Sequence, residues 1–254
     1  IAMKLTAQMM IFLLLATTSS VAEKIDIAKG RKHWAFQPVK KPALPPVKNK
    51  AWVKNPIDQF ILARLEEAGL QPASASAPRD LQRRYYYNLV GLPPSPKDKF
   101  VNPKATIEKL MATLQYGERW ARHWLDVVRY ADSNGLDENA AHANAWRYRD
   151  YVVQAFNADK PYSQFLIEQI AGDLLPAKDD AQKRDQNIAT GFLSLGPKVL
   201  AEPDKVKMEM DIIDEQIDTL GKSLLGLTLG CARCHDHKFD PIPTADYYAL
   251  AGIF

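Results

Sequence analysis

The residues best equipped for chemistry stand near the end of the chain: Cys231-Ala232-Arg233-Cys234-His235. They include both cysteines, and one of the five histidines follows the second cysteine directly. Cys-x-x-Cys-His is the spacing that attaches a c-type haem. Each thiol adds to one vinyl group of the porphyrin, giving two thioethers, and two intervening residues let both sulfurs reach the same face of the ring. The histidine next in line then lies under the iron and supplies its proximal nitrogen. Cys231, Cys234 and His235 are therefore the expected holders of one covalent haem c.

The same side chains allow other chemistry. A redox dithiol expects a βαβ setting, which the pattern lacks. A zinc site needs four ligands, and no second Cys or His pair stands at metal spacing. A small disulfide loop is the third alternative, and would leave a scaffold domain. The run His235-Asp236-His237-Lys238-Phe239-Asp240 does place two imidazoles and two carboxylates within six residues. With Cys231 or Cys234 it could hold a non-haem metal, Zn or Fe. A metal-dependent hydrolase or carbohydrate-associated module would follow. Asp236 or Asp240 could instead simply orient His235 through its free ring nitrogen. The loop 132–139 resembles a calcium loop only superficially, lacking alternating acidic ligands and a terminal bidentate glutamate; turn chemistry explains it better.

If haem is bound, its distal side is open to several groups. His237 is too close in sequence to cross the porphyrin. Met208 and Met210 precede the motif by about one long helix, and a Met/His pair would raise the potential into an electron-transfer range. His123, between Trp120 and Trp124, is the other distal candidate, and an open five-coordinate iron is a further outcome. Arg119, Arg122, Arg129, Arg147 and Arg149 could pair with haem propionates, since guanidinium matches carboxylate in a bidentate way.

These groups must be carried by a scaffold, and its pattern is helical. Asn55-Pro56 is an N-cap followed by proline at the first helical position, with Gly69 at the stop. Ile57, Phe60, Ile61, Leu62 and Leu65 recur between them at helical spacing. The same logic predicts helices from Pro78 to Gly91, from Asn102-Pro103 through Leu114, and from about Gly117 to Tyr130. Further helices are expected over 143–156, 163–174, 184–195 and 204–220, with Thr244 capping a last one over 245–252. No alternating strand run follows Asn55, so the fold class expected is mostly α, an irregular multi-helix domain. Residues 23–54, rich in proline and lysine, read as an extended arm. His33-Trp34-Ala35-Phe36 and Trp52 would be the aromatic anchors pinning it down.

The N-terminus reads as an export signal. Lys4 supplies a positive n-region and Met9 to Ala16 an apolar stretch too short to span a bilayer, with small residues at Ser20-Val21-Ala22. A signal peptide over 1–22, an arm over 23–54 and a helical domain over 55–254 is the expected division. In bacteria haem c is joined to reduced cysteines outside the cytoplasm, so signal and motif agree on a periplasmic, cell-envelope or extracellular place. No transmembrane segment is expected. With 254 residues, 46% hydrophobic and 25% charged, the chain has the composition of a globular protein. Its formal net charge of +3 is too near neutral, and its basic residues too scattered, to expect nucleic acid as partner.

Three runs carry a resemblance. They are Gly117-Glu118-Arg119-Trp120-Ala121-Arg122-His123-Trp124-Leu125-Asp126-Val127-Val128-Arg129-Tyr130-Ala131-Asp132-Ser133, then Lys207-Met208-Glu209-Met210-Asp211, then Gly230 through Ile242. In this order they resemble the planctomycete cytochrome c family, in its second cytochrome-like domain, over about Trp34 to Phe254. Asn88 stands where relatives commonly carry Asp, which leaves the haem argument untouched. The resemblance implies an exported domain that adjoins a separate small cytochrome domain or meets another redox partner protein, in an assembly with a possible link to polysaccharide. It also implies Asp132, Asp137 or Glu138 as the ligands that would complete the alternative, non-haem metal set. Here the signal leads straight into the second domain, and Ala249 to Phe254 reads as an element cut in the middle. A fragment or truncated member is therefore expected.

Overall fold

The computed structural model describes residues 26–136 and 138–254; the expected signal peptide and Asp137 lie outside the described residues. The helices are α1 (Ile27–Gly30), α2 (Pro56–Glu67), α3 (Pro78–Leu89), α4 (Pro103–Met111), α5 (Leu114–Val127), α6 (Ala145–Asn157), α7 (Tyr162–Ala171), α8 (Asp180–Ala189), α9 (Gly191–Ser194), α10 (Lys205–Leu220) and α11 (Thr244–Ala251). Among the described residues there is no strand, and a single antiparallel bridge joins Ser133 to Ala141. The protein is mostly α, as the periodicity indicates.

Two compact units divide the chain. One is formed by 38–199; the other joins the segment up to Gln37 to Leu200–Phe254. The expected arm is thus shared between them. Its first part forms α1, which Arg31 ties to Asp246 of α11 across 3.2 Å. Beyond Gln37 the proline-rich stretch is extended, and Glu66 of α2 accepts from the backbone amides of Lys48 and Asn49. These two amides hold the Glu66 carboxyl below the usual carboxylate range. The aromatic anchors expected around residue 34 are not buried: Trp34 is 80% exposed. His33 instead stacks locally on Trp34 and Phe36 across a single 3-10 turn, with ring centroids 5.6 and 6.4 Å apart. Trp52 is half-buried.

Helix boundaries follow cap chemistry. Asn55 accepts from Asp58 N while Asp58 accepts from Asn55 N, a full capping box that satisfies two orphan amides of α2. Asn102 does half of this for α4 through Ala105 N. Gly69 and Gly91 follow α2 and α3 with φ of +67° and +71°, where a side chain would be strained. α5 begins three residues before the expected Gly117 and ends at Val127, because Arg129 takes φ +50° and turns the chain away. Arg129 is held there by donating to the carbonyls of Val128 and Phe192. The helix expected over 184–195 is two, α8 and α9, meeting at Thr190.

The core of the 38–199 unit lies where α5 and α6 pack, around Ala121, Leu125, Val128, Tyr148, Val152 and Phe192, with Phe165 from α7. Trp124 lays its indole edge-on against Phe165 and donates Nε1–H to Tyr148 Oη and Gln169 Oε1, at 3.0 and 3.1 Å. The ring is half-buried against the core and its one donor is satisfied. Glu168, only 3% exposed, accepts from Tyr151, Lys160 and Gln164. Its burial alone would raise its pKa, yet these three donors together hold it below the ordinary carboxylate value.

Candidate functional site

The Cys-x-x-Cys-His turn sits in the other unit, on α10 and α11. Asp204 caps α10 by accepting from Lys207 N. The helix then loosens through one π turn, Gly221–Leu225, and reverses at Gly226 with φ +67°. The motif starts inside a five-residue 3-10 turn, Leu229–Arg233, and Cys234 and His235 follow just past its end. This turn lies directly on the end of α10 because Gly221 has no side chain. A Cβ there would stand 2.6 Å from Leu229 Cγ and 2.7 Å from the Leu227 carbonyl oxygen. Leu229 and Ala232 then join Ile217, Ile242 and Tyr247 in one buried cluster.

That packing decides what the motif presents. Ala232, between the cysteines, is fully buried, while Cys231, Cys234 and His235 are exposed, and both thiols are free. His235 Nδ1 is 2.8 Å from the Asp236 carbonyl oxygen. A carbonyl only accepts, so Nδ1 carries the proton and Nε2 presents a lone pair. A backbone-oriented imidazole with its Nε2 free is the form a haem iron binds. The donor set present at 231, 234 and 235 thus fits a covalent haem in chemistry and in exposure.

His237 behaves differently. It is 4% exposed, and both ring nitrogens are engaged. Nδ1 accepts from the amides of Phe239 and Asp240, at 3.1 and 2.8 Å, so Nε2 carries the proton and donates to Thr228 Oγ1 at 2.9 Å. This ring ties the segment after the motif to the one before it. Asp236 orients His235 through its backbone carbonyl, while its carboxylate accepts from Thr244 N. α11 is therefore opened by Asp236 and not by Thr244, which lies inside the helix. Asp240 turns back through its amide onto His237. Among the described residues no three His, Cys, Asp or Glu side chains gather in a way that could hold a metal ion.

Arg233 links the motif to the earlier run Lys207–Asp211. Its guanidinium reaches Asp211 at 2.8 Å and Asp214 at 3.2 Å, both on α10. Asp214 also accepts from Tyr247 Oη, and Tyr248 Oη donates to the Arg233 carbonyl. Lys207 completes the network by pairing with Asp211 and Glu202. The hydrogen bonds from Lys207 and Arg233 hold Asp211 below the usual carboxylate range. Burial, and then the bond to Asp214, pushes the Tyr247 hydroxyl up. Lys207 and Asp211 stand at i,i+4 spacing, a sign visible in sequence, but nothing local joins either of them to Arg233.

The other nominated residues are placed as follows. Met208 and Met210 are half-buried on α10, in the same unit as the motif. His123 belongs to α5 of the other unit, edge-on against Trp120 with centroids 5.6 Å apart. Of the arginines nominated in that unit, Arg122 pairs with Asp126, Arg149 with Asp150, Arg147 lies over the Trp146 ring and Arg129 bonds the Phe192 carbonyl, while the buried Nε of Arg119 has no hydrogen-bond partner among the described residues. There, α5 and α6 also border a groove of about 570 Å³, walled by Arg122, Asp126, Tyr130, Asp132 and Arg149 above Leu125 and Val153. Its signal in sequence was the Glu118, Arg122, Asp126 ladder at four-residue spacing. Among the described residues, no helix is long and apolar enough to cross a membrane.

Compared with known proteins, residues 56–254 match the model of one family, PSCyt2, described as a protein of unknown function (DUF1549). No curated protein and no solved structure matches the chain.

Proposed function

Since the chain belongs to the PSCyt2 family, whose description assigns no function, its activity has to be argued from its own residues, and we propose an exported c-type cytochrome-like domain holding one covalent haem. Cys231 and Cys234 would each add Sγ–H across a vinyl group, a step with no leaving group, and His235 Nε2 would ligate the iron. Bound there, haem supplies one-electron oxidation and reduction.

The observation that carries this reading is the pairing of two free, outward thiols with a neighbouring imidazole whose Nε2 lone pair is open. Ala232, between the two exposed cysteines, is buried in the core with Leu229 and holds the turn against it. A haem held by two exposed cysteines would be open to electron exchange with a redox partner protein or an adjoining cytochrome domain. Met208 and Met210 share the unit with the motif, whereas the other distal candidate, His123, belongs to the 38–199 unit. The apolar stretch at residues 9–16 supports a periplasmic or envelope location, where thioethers of this kind are made.

The test is a pyridine haemochrome spectrum of the chain exported from cells that mature cytochromes, beside Cys231→Ser/Cys234→Ser. A Soret band surviving acid–acetone extraction, absent in the double variant, supports the reading. A colourless wild type carrying zinc or non-haem iron, or a Cys231–Cys234 disulfide, rejects it.

A further inference from the structure

We infer that Arg233 is a positioning residue for haem attachment: clamped on α10 by Asp211 and Asp214, it fixes the turn so that both thiols meet one porphyrin. This deepens the haem reading above and rests on it.

A five-residue 3-10 turn has too few internal bonds to hold its own shape. Apolar burial fastens one side of it, through Leu229 and Ala232. That burial is non-directional and does not fix the rotation of the segment carrying Cys234 and His235. Between the two cysteines the side-chain and carbonyl contacts to α10 and α11 meet at Arg233, while His237 and Asp236 fasten the segment after the motif. Two nitrogens of its guanidinium reach two carboxylates three residues apart on one helix, at 2.8 and 3.2 Å. Its carbonyl accepts from Tyr248 Oη at 3.1 Å, and Asp214 is itself braced by Tyr247 Oη. Arg233 lies between the thiols in sequence, directly before Cys234, so its clamp sets the path of the chain from one sulfur to the other. A planar fork can engage two separate acids at once; an ammonium is a point charge and cannot fix the same orientation. Thioether formation needs both sulfurs held near vinyl groups a fixed distance apart, so a turn free to rotate would complete one bond more readily than two.

The experiment compares the full chain with Arg233→Gln and Arg233→Lys after export from cytochrome-maturing cells. Three quantities are read: haem per chain, the fraction of haem held by one thioether rather than two (from the haemochrome α-band and the peptide mass), and amide exchange of the apo chain over 230–235. In Arg233→Gln, haem per chain falls several-fold, a one-thioether fraction appears, and exchange over 230–235 rises about tenfold, the factor equivalent to 1.4 kcal/mol of local opening. Exchange in α5 and α6 stays unchanged. Arg233→Lys restores part of the yield and less of the two-thioether fraction. General destabilisation would lower yield without changing the thioether count, and would overturn the positioning role. So would wild-type occupancy in Arg233→Gln, or unaltered exchange over 230–235. A wild type without haem but with the predicted rise in exchange in Arg233→Gln sinks the haem reading, and this role with it, while leaving the clamp in place as a structural fastener.

Discussion

Two histidines, two residues apart, should respond in opposite ways to removal. Replacing His237 by alanine takes away the acceptor of the Phe239 and Asp240 amides and the donor to Thr228 Oγ1. A buried amide left without a partner costs about 1–3 kcal/mol. Phe239 itself is exposed, so water can reach part of the void, and about 1 kcal/mol for each amide is the suitable end of that range. Losing the packing of a ring that is 4% exposed adds about 1 kcal/mol more. The sum is about 3 kcal/mol. His235→Ala removes an exposed ring whose one bond is to the next residue's carbonyl, and should stay within about 0.5 kcal/mol of the parent. Urea unfolding of the apo chain, followed by far-ultraviolet circular dichroism, measures both. Equal losses for the two variants, or a silent His237→Ala, would refute the division between a structural and a ligating histidine. Haem attachment should reverse the ranking when His237→Ala is assayed at low temperature, where it stays folded.

Other consequences lie away from the motif. Glu168 is held below its ordinary value of 4.5, so its stabilising contribution is present above that pH and is lost as pH falls through the folded value. Glu168→Gln should flatten the acid limb of the stability–pH curve, checked by melting between pH 3 and pH 7; an unchanged limb would contradict this. Gly172→Ala would set a Cβ 2.1 Å from the backbone oxygen of Gln186, which cannot swing aside as a side chain would. A loss of about 3 kcal/mol in chemical unfolding is expected. Asn55→Ala breaks the capping box of α2 and should cost about 1 kcal/mol, read in the same way.

Where sequence signals were local, they translated directly into structure. Asn55-Pro56, Asn102-Pro103 and Asp204 each open a helix at the expected place because a cap satisfies amides within its own turn, and Pro78 opens one without a side-chain cap because its φ suits the first helical position. Boundaries set by distant contacts were not legible. α5 stops early because Arg129 reaches the Phe192 carbonyl, sixty-three residues on. Thr244 has the residue type of a cap, but the carboxylate of Asp236 takes that role from eight residues away. The candidate site was legible as a spacing, that of Cys231, Cys234 and His235, since such a motif is a local pattern. Its support was not. The motif singled out His235, but nothing in the pattern told that the ring of His237 is buried and spent on Thr228 and two amides. The pairing of Arg233 with Asp211 and Asp214 joins residues about five turns of helix apart in sequence, beyond any periodic signal.

The most direct test of the account is a mass measurement on the exported chain after proteolysis. The account predicts that the peptide containing Cys231 to His235 carries one haem, bonded through both sulfurs and retained after acid–acetone extraction. Recovery of that peptide at its unmodified mass, or with Cys231 and Cys234 joined to each other, from cells that load a control cytochrome, would contradict it.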